Sequence, residues 1–256
     1  MPRLDYQRQC AELESEAANF AAAVHDADPA AAVPTCPEWT LDQLTAHTCR
    51  GIRWAATMIE RRTTTPIRPV EIDADLPADP DERTTAIRAD AARLVAAIHD
   101  SGPDTEIWSW ADDRTAGFWL GRMLHETLVH RIDAELATGH DPAGIAVAPD
   151  LAADGVADMM MVARNLSARA QRAFAGLTGT GQTLLFQATD TDTTWLARRT
   201  PSGVEWTWDA GPADVTVRGT ARDLMLVLTR RTPADDRLAV DGDAGLLGHW
   251  LANSTF

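Results

Sequence analysis

The segment Arg122-Met-Leu-His-Glu126-Thr-Leu-Val-His130-Arg-Ile-Asp133 concentrates ionisable side chains at helical spacing. At ~100° per residue, positions four apart differ by only ~40° around a helix axis, so Glu126 and His130 share one face. Arg122 and Asp133 lie on the same stripe. An imidazole and a carboxylate so placed can close on one divalent ion, and inward-pointing Glu and His from facing helices are how bundles build metal sites. Such an ion needs a third ligand. His47 is the best candidate, because it sits mid-helix in the only other apolar-patterned helix with an interior histidine. His99, by contrast, falls at an expected helix end, and His25, His140 and His249 fall near ends or turns.

The adjacent pair His125-Glu126 invites comparison with the H-E-x-x-H pattern of zinc hydrolases, but the spacing fails. His125 and His130 are ~140° apart on a regular helix and cannot grip one ion together. His125 is therefore expected to pack or hydrogen-bond beside the site. Asp133, one turn beyond His130, could accept the second N–H of that imidazole, the usual outer-shell arrangement. Arg122 could pair with Glu126 in a plain ion-pair network, and an i,i+4 Glu–His pair is often just a solvated surface contact. Spacing alone permits either reading.

The elements that must carry these residues are helical. Leu4 to Val24 is rich in Ala, Glu and Leu without Gly or Pro and predicts a first helix. Two prolines in Val33-Pro34-Thr35-Cys36-Pro37-Glu38-Trp39-Thr40 interrupt the helical run. Thr40 with Gln43 three residues on is the capping-box pattern, and predicts a second helix to about Arg61 with Leu41, Leu44, Ile52 and Met58 on its apolar face. Residues 62–81 carry four prolines and form a long irregular connection of the kind that often borders a site. Further helices are predicted from about Glu82 to Asp100, from Gly117 to Thr138 with Gly139 as a stop, and from Asp150 to about Phe174. An antiparallel bundle is the leading architecture for residues 1–176.

Beyond Gly176 the texture changes to Gly, Thr and short alternating runs. Thr183–Thr189, Thr193–Arg199, Val204–Trp208 and Val215–Arg218 read as antiparallel strands, followed by a helix over Thr220 to Thr229, a short strand Leu238–Val240 and a terminal helix Ala244 to Ala252. Residues 177–256 thus form a small α+β domain.

Composition bounds the function. The 256 residues, 45% hydrophobic and 24% charged, have the mix of a soluble globular protein large enough for two domains. No apolar run can span a bilayer, and the first residues lack the apolar stretch of a secretory signal, so no membrane is expected and a cytoplasmic location is. A net charge of −15 argues against nucleic acid, since the phosphate-neutralising contribution would be repulsive overall. Cys10, Cys36 and Cys49 are scattered, with no C-x-x-C pair, and indicate neither a disulfide framework nor a thiolate zinc site. Trp39, Trp54, Trp108, Trp110 and Trp119 could line an apolar pocket or fill the core.

The ordered combination of Val33-Pro-Thr-Cys-Pro-Glu-Trp-Thr-Leu-Asp-Gln-Leu-Thr-Ala-His47 with Arg122-x-x-His-Glu126-x-x-x-His130-Arg-x-Asp133 resembles the mycothiol-dependent maleylpyruvate isomerase family within the DinB-like metalloenzyme superfamily. The run Ala213 to Leu224 and Val240-Asp-Gly-Asp243 resembles that family's smaller C-terminal domain. The resemblance implies a DinB-like antiparallel helical bundle followed by a small α+β domain. It also implies a divalent metal, typically zinc, on His47, Glu126 and His130, and mycothiol as cofactor or co-substrate in isomerisation or S-transfer. A metal with three protein ligands keeps an open position and lowers the pKa of a bound thiol or water there. The expected partners are then a low-molecular-weight thiol and a small electrophilic substrate. Arg222 and Arg230 are candidates to hold a substrate carboxylate, though an ordinary surface role fits each as well. The competing readings are a metal-dependent hydrolase using bound water and a non-catalytic metal-binding or sensor protein.

Overall fold

The computed structural model describes residues 3–169, 173–234 and 237–254. The chain forms two compact units, one spanning Asp5–Ile145 and the other Ala146–Phe256 together with the N-terminal residues up to Leu4.

The first unit is a helical bundle of α1 (Tyr6–Val24), α2 (Leu41–Glu60), α3 (Pro80–Ser101) and α4 (Ala116–Ala137). Each of α1 and α2 packs on both α3 and α4, so the four helices close a ring. Their starts are fixed by side-chain caps from Asp5, Thr40, Asp79 and Thr115. At Thr40 the full capping box is present, its Oγ1 accepting from Gln43 N and the Gln43 side chain accepting from Thr40 N. Gly139, at φ +87°, stops α4 in the left-handed conformation that glycine adopts without penalty. Residues 62–79 remain irregular apart from a 3₁₀ turn at Pro69–Glu71, and are tied to α2 where Trp54 Nε1 donates to Ile67 O and Arg53 to Asp73 O and Asp75 O. Trp54, Trp108 and Trp119 pack together with Phe118, and Trp119 is wholly buried with its Nε1 on Trp108 O. These rings therefore serve the core.

One interaction ties α4 to α1 through the interior. Arg131 Nε donates to Glu16 Oε2 at 2.9 Å while its Nη1 reaches both Glu135 oxygens at 3.1 Å, and the Arg131 and Glu16 side chains are only 4% and 6% exposed. Burial pushes the Glu16 carboxyl up from its ordinary range, and the Arg131 guanidinium pulls it back.

The second unit contains α5 (Pro149–Ala168), β1 (Thr183–Ala188), β2 (Thr194–Thr200), β3 (Gly203–Thr207), β4 (Val215–Gly219), α6 (Ala221–Leu228), β5 (Ala239–Gly242) and α7 (Ala244–Ala252). The five strands lie in the order β3-β2-β1-β4-β5. Three departures from the sequence reading matter. The compact division falls between Ile145 and Ala146, not at 176, because α5 buries its apolar face against α6 and β3. That helix stops at Ala168, short of Phe174; residues 170–172 of the expected span lie outside the described residues. And β4 runs parallel to β1, with Leu184 opposite Val215, although the four runs from Thr183 to Arg218 read as antiparallel strands. The chain leaves β3 on one edge and crosses to the far side of β1, a choice of neighbour that an alternating pattern does not encode. Among the described residues, no helix is long and apolar enough to cross a membrane.

A fragment of residues 5–145 is expected to be soluble and helical by circular dichroism and gel filtration, whereas one ending at 176 should aggregate, because it carries α5 without the α6 and β3 that cover it. Arg131→Ala should lower stability by about 3–5 kcal/mol in urea unfolding, since it leaves the Glu16 carboxylate buried without its counter-charge.

Candidate metal centre

The neighbouring helices α2 and α4 bring the sequence-distant ligand candidates together. His47 lies two turns inside the Thr40 cap, and Glu126 and His130 lie one turn apart in the middle of α4. His47 Nε2 is 3.5 Å from Glu126 Oε1, and His130 Nε2 is 3.2 Å from the same oxygen. All three ligating atoms fall within 4.8 Å of one another, and the two imidazoles stand nearly perpendicular with centroids 5.1 Å apart. Among the described residues this is the one cluster of three such groups.

Two of the three candidates, Glu126 and His130, are held by a neighbouring side chain. The Arg122 guanidinium hydrogen-bonds Glu126 Oε2, which leaves Oε1 for the histidines. Asp133 Oδ2 lies 2.9 Å from His130 Nδ1, and the Asp133 side chain is 0% exposed. Its other oxygen accepts from Thr35 Oγ1 at 2.5 Å. If Nδ1 carries the proton and donates to Asp133, the lone pair of His130 is on Nε2, facing Glu126. The stripe thus carries an Arg122–Glu126 ion pair and a His130–Asp133 hydrogen bond.

The donor set fits a divalent cation. Burial, together with the charges of His130, Arg50 and Arg122, holds His47 down at about 4, so near neutral pH its imidazole is uncharged. The two imidazoles and the Glu126 carboxylate can each turn a lone pair toward one shared cation, within the 4.8 Å that separates their ligating atoms. The spacings of 3.5 and 3.2 Å are close to the ~3.4 Å that two ligands keep when each is ~2.1 Å from a tetrahedral ion. His47 is 43% exposed and His130 8%, so the approach from solvent is on the His47 side.

The sequence reading missed two residues that touch this cluster as groups of its immediate surroundings. Trp39 packs its indole 4.6 Å from the His47 ring and 6.3 Å from that of His130. Thr35 reaches Asp133. Their signal was the turn itself, a short two-proline segment placed directly before the helix that carries His47. His125 is buried outside the cluster. Arg222 and Arg230 belong to the other compact unit, where Arg222 Nη1 pairs with Asp223 Oδ1 at 2.9 Å and exposed Arg230 adopts a left-handed φ of +64° after α6.

Fold and site together define a two-unit protein in which a helical bundle holds a His–Glu–His cluster and is followed by a smaller α+β unit. The mycothiol maleylpyruvate isomerase N-terminal domain matches residues 10–135, and the MDMPI C-terminal domain matches residues 150–249. The chain belongs to the mycothiol maleylpyruvate isomerase family. Its fold is that of the crystal structure of the mycothiol-dependent maleylpyruvate isomerase, at a TM-score of 0.60 and 15% identity over 94% of this chain and 96% of that one. A histidine-to-alanine mutant of that enzyme superposes with a TM-score of 0.63 at 14% identity over the same shares. No curated protein matches the chain.

Purified protein should hold about one divalent ion per chain, since the described residues form a single such cluster. His130→Ala is expected to lose it on dialysis and His125→Ala to keep it, as read by elemental analysis. Wild-type metal content in the His130→Ala protein would remove the ligand assignment.

Proposed function

We propose that the protein is a divalent-metal- and mycothiol-dependent isomerase or thiol transferase acting on a small electrophile, with the metal, typically zinc in the family, held by His47, Glu126 and His130. The observation that supports this reading is that three potential ligand atoms, of His47, Glu126 and His130, lie within 4.8 Å of one another in the bundle of a chain that belongs to this family. A bound ion with an open position would supply Lewis acidity, lowering the pKa of a thiol or water at neutral pH.

The chain's own residues set the conditions for that chemistry. Arg122 fixes the Glu126 carboxylate, Asp133 fixes His130, and Trp39 restrains the rings of both histidines. The protein's thiols on the helices are poor nucleophiles. Burial pushes Cys49 up to about 12, helped by the neighbouring Asp90 charge, and burial with the charge of Glu14 pushes Cys10 up to about 11. Both stay protonated near neutral pH, which favours a nucleophile supplied from outside. Cys36, half-buried in the turn before α2, is the remaining thiol.

Calorimetric titration of mycothiol into the metal-loaded protein should give a saturable signal that is lost in the chelator-treated protein, and Cys36→Ser should leave it intact. Turnover of candidate electrophiles should require added thiol. An ester or amide turned over without any thiol, together with no heat of mycothiol binding, would instead favour a hydrolase.

A further inference from the structure

The turn over residues 33–39 is built to present one hydroxyl. Val33 N donates to Trp39 O at 3.1 Å, Cys36 N to Val33 O at 3.0 Å and Trp39 N to Cys36 O at 2.8 Å, and Ala32 bridges Thr40 at the base. Pro34 and Pro37 restrict the backbone inside this closed turn. Buried Val33 and the Trp39 ring against His47 fix it to the bundle. Thr35 sits within it, and its Oγ1 lies 2.5 Å from Asp133 Oδ1. That distance is in the charge-assisted range for a hydroxyl donating to a carboxylate.

We propose that Thr35 is a positioning residue for the metal centre: its hydroxyl anchors the buried Asp133 carboxylate, which in turn selects the His130 tautomer able to bind a cation. The inference rests on the metal-site reading above. A neutral His130 can carry its proton on either ring nitrogen. Protonated on Nδ1 it donates to Asp133 Oδ2 at 2.9 Å and keeps the Nε2 lone pair for a ligand bond. Protonated on Nε2 it can donate to Glu126 Oε1 at 3.2 Å, which closes the site by turning two ligands onto each other. The first choice wins only while Asp133 holds its oxygen against Nδ1. Thr35 ties the second oxygen of Asp133 from a segment remote in sequence, which opposes rotation about its terminal torsion. Trp39, on the same turn, limits the rotation of the imidazoles themselves.

The test reads the tautomer directly, without metal or activity. In metal-free, nitrogen-15-labelled protein, the His130 resonances, assigned by their loss in His130→Ala, should show a protonated Nδ1 and an unprotonated Nε2. Thr35→Val, which keeps the shape and removes the hydroxyl, should move both nitrogens toward averaged positions, and Thr35→Ser should restore them. Chelator competition with zinc should show about tenfold weaker binding for Thr35→Val and no more than about a twofold change for Thr35→Ser, the size typical of lost outer-shell support. Should Thr35→Val fold poorly, Thr35→Ala reads the same nitrogens. Wild-type nitrogen shifts in the hydroxyl-free variant would overturn the proposal, as would equal losses of affinity in the Val and Ser variants. If the wild-type protein takes up no zinc, the metal reading fails, while the nitrogen shifts still decide whether Thr35 sets the tautomer.

Discussion

Ionised groups can sit inside a helical bundle only where each meets a partner, because the cost of removing a charge from water exceeds what packing returns. Helix α4 carries this constraint for the whole first unit. Within one short stretch it places His130, Arg131 and Asp133 in the interior, with Glu126 at its margin. Arg131 turns toward α1 and meets Glu16, while Glu126, His130 and Asp133 turn toward α2 and the segment before it. A rotation of α4 by one residue's worth of angle would break both sets at once. The charge pairs therefore fix the angular position of α4, which apolar packing by itself leaves loosely specified.

The centre inherits its precision from that arrangement. Glu126 and His130 are one turn apart on a helix whose rotation is set from the other side, and His47 arrives on a helix whose first turn is fixed by the Thr40 capping box. Around these ligands the supporting bonds are graded by burial. Asp133 and His130 are deep, whereas Glu126 with Arg122 lies nearer the surface and His47 is the most exposed of the three ligand candidates. An ion held there would be rigidly supported on its inner side and approachable on its outer one, the arrangement that separates a reactive metal site from a closed structural one.

The second unit follows a different logic. Its sheet pairs β1 with β2 and β4 on its two sides, so β1 is buried along most of its length and acts as the centre of the layer. Buried Arg199 on β2 gathers the carbonyls of Gly176, Leu177 and Thr178, which the short 3₁₀ turn over Ala175–Leu177 leaves at its C-terminal end. Asp214 does similar work at the start of β4, accepting from Thr183 N at 2.7 Å and from its hydroxyl at 3.0 Å. This acceptor role holds the Asp214 carboxyl below its usual range. The two bonds lock the parallel register of β1 and β4 at its first residue pairs.

Sequence alone determined the helices and the shared face of Glu126 and His130, because helical periodicity, caps and breakers are local properties of the chain. Thr40 and Gln43 specify a helix start within four residues, and Gly139 a helix stop in one. The pairing of His47 with that face could be argued from residue type, but its distances could not, since they depend on how α2 and α4 pack. Tertiary structure decided the rest. The assignment of α5 to the second unit depends on which surface covers its apolar side, and an amphipathic helix carries no label for its partner. The parallel direction of β4 beside β1 depends on the path of a connection, while the alternation of buried and exposed residues is the same for either direction. Thr35 and Asp133 are separated by most of the first unit, and no local pattern links a hydroxyl in a proline-bounded turn to a carboxylate on a distant helix. Their contact exists only because packing brings the turn over residues 33–39 against α4.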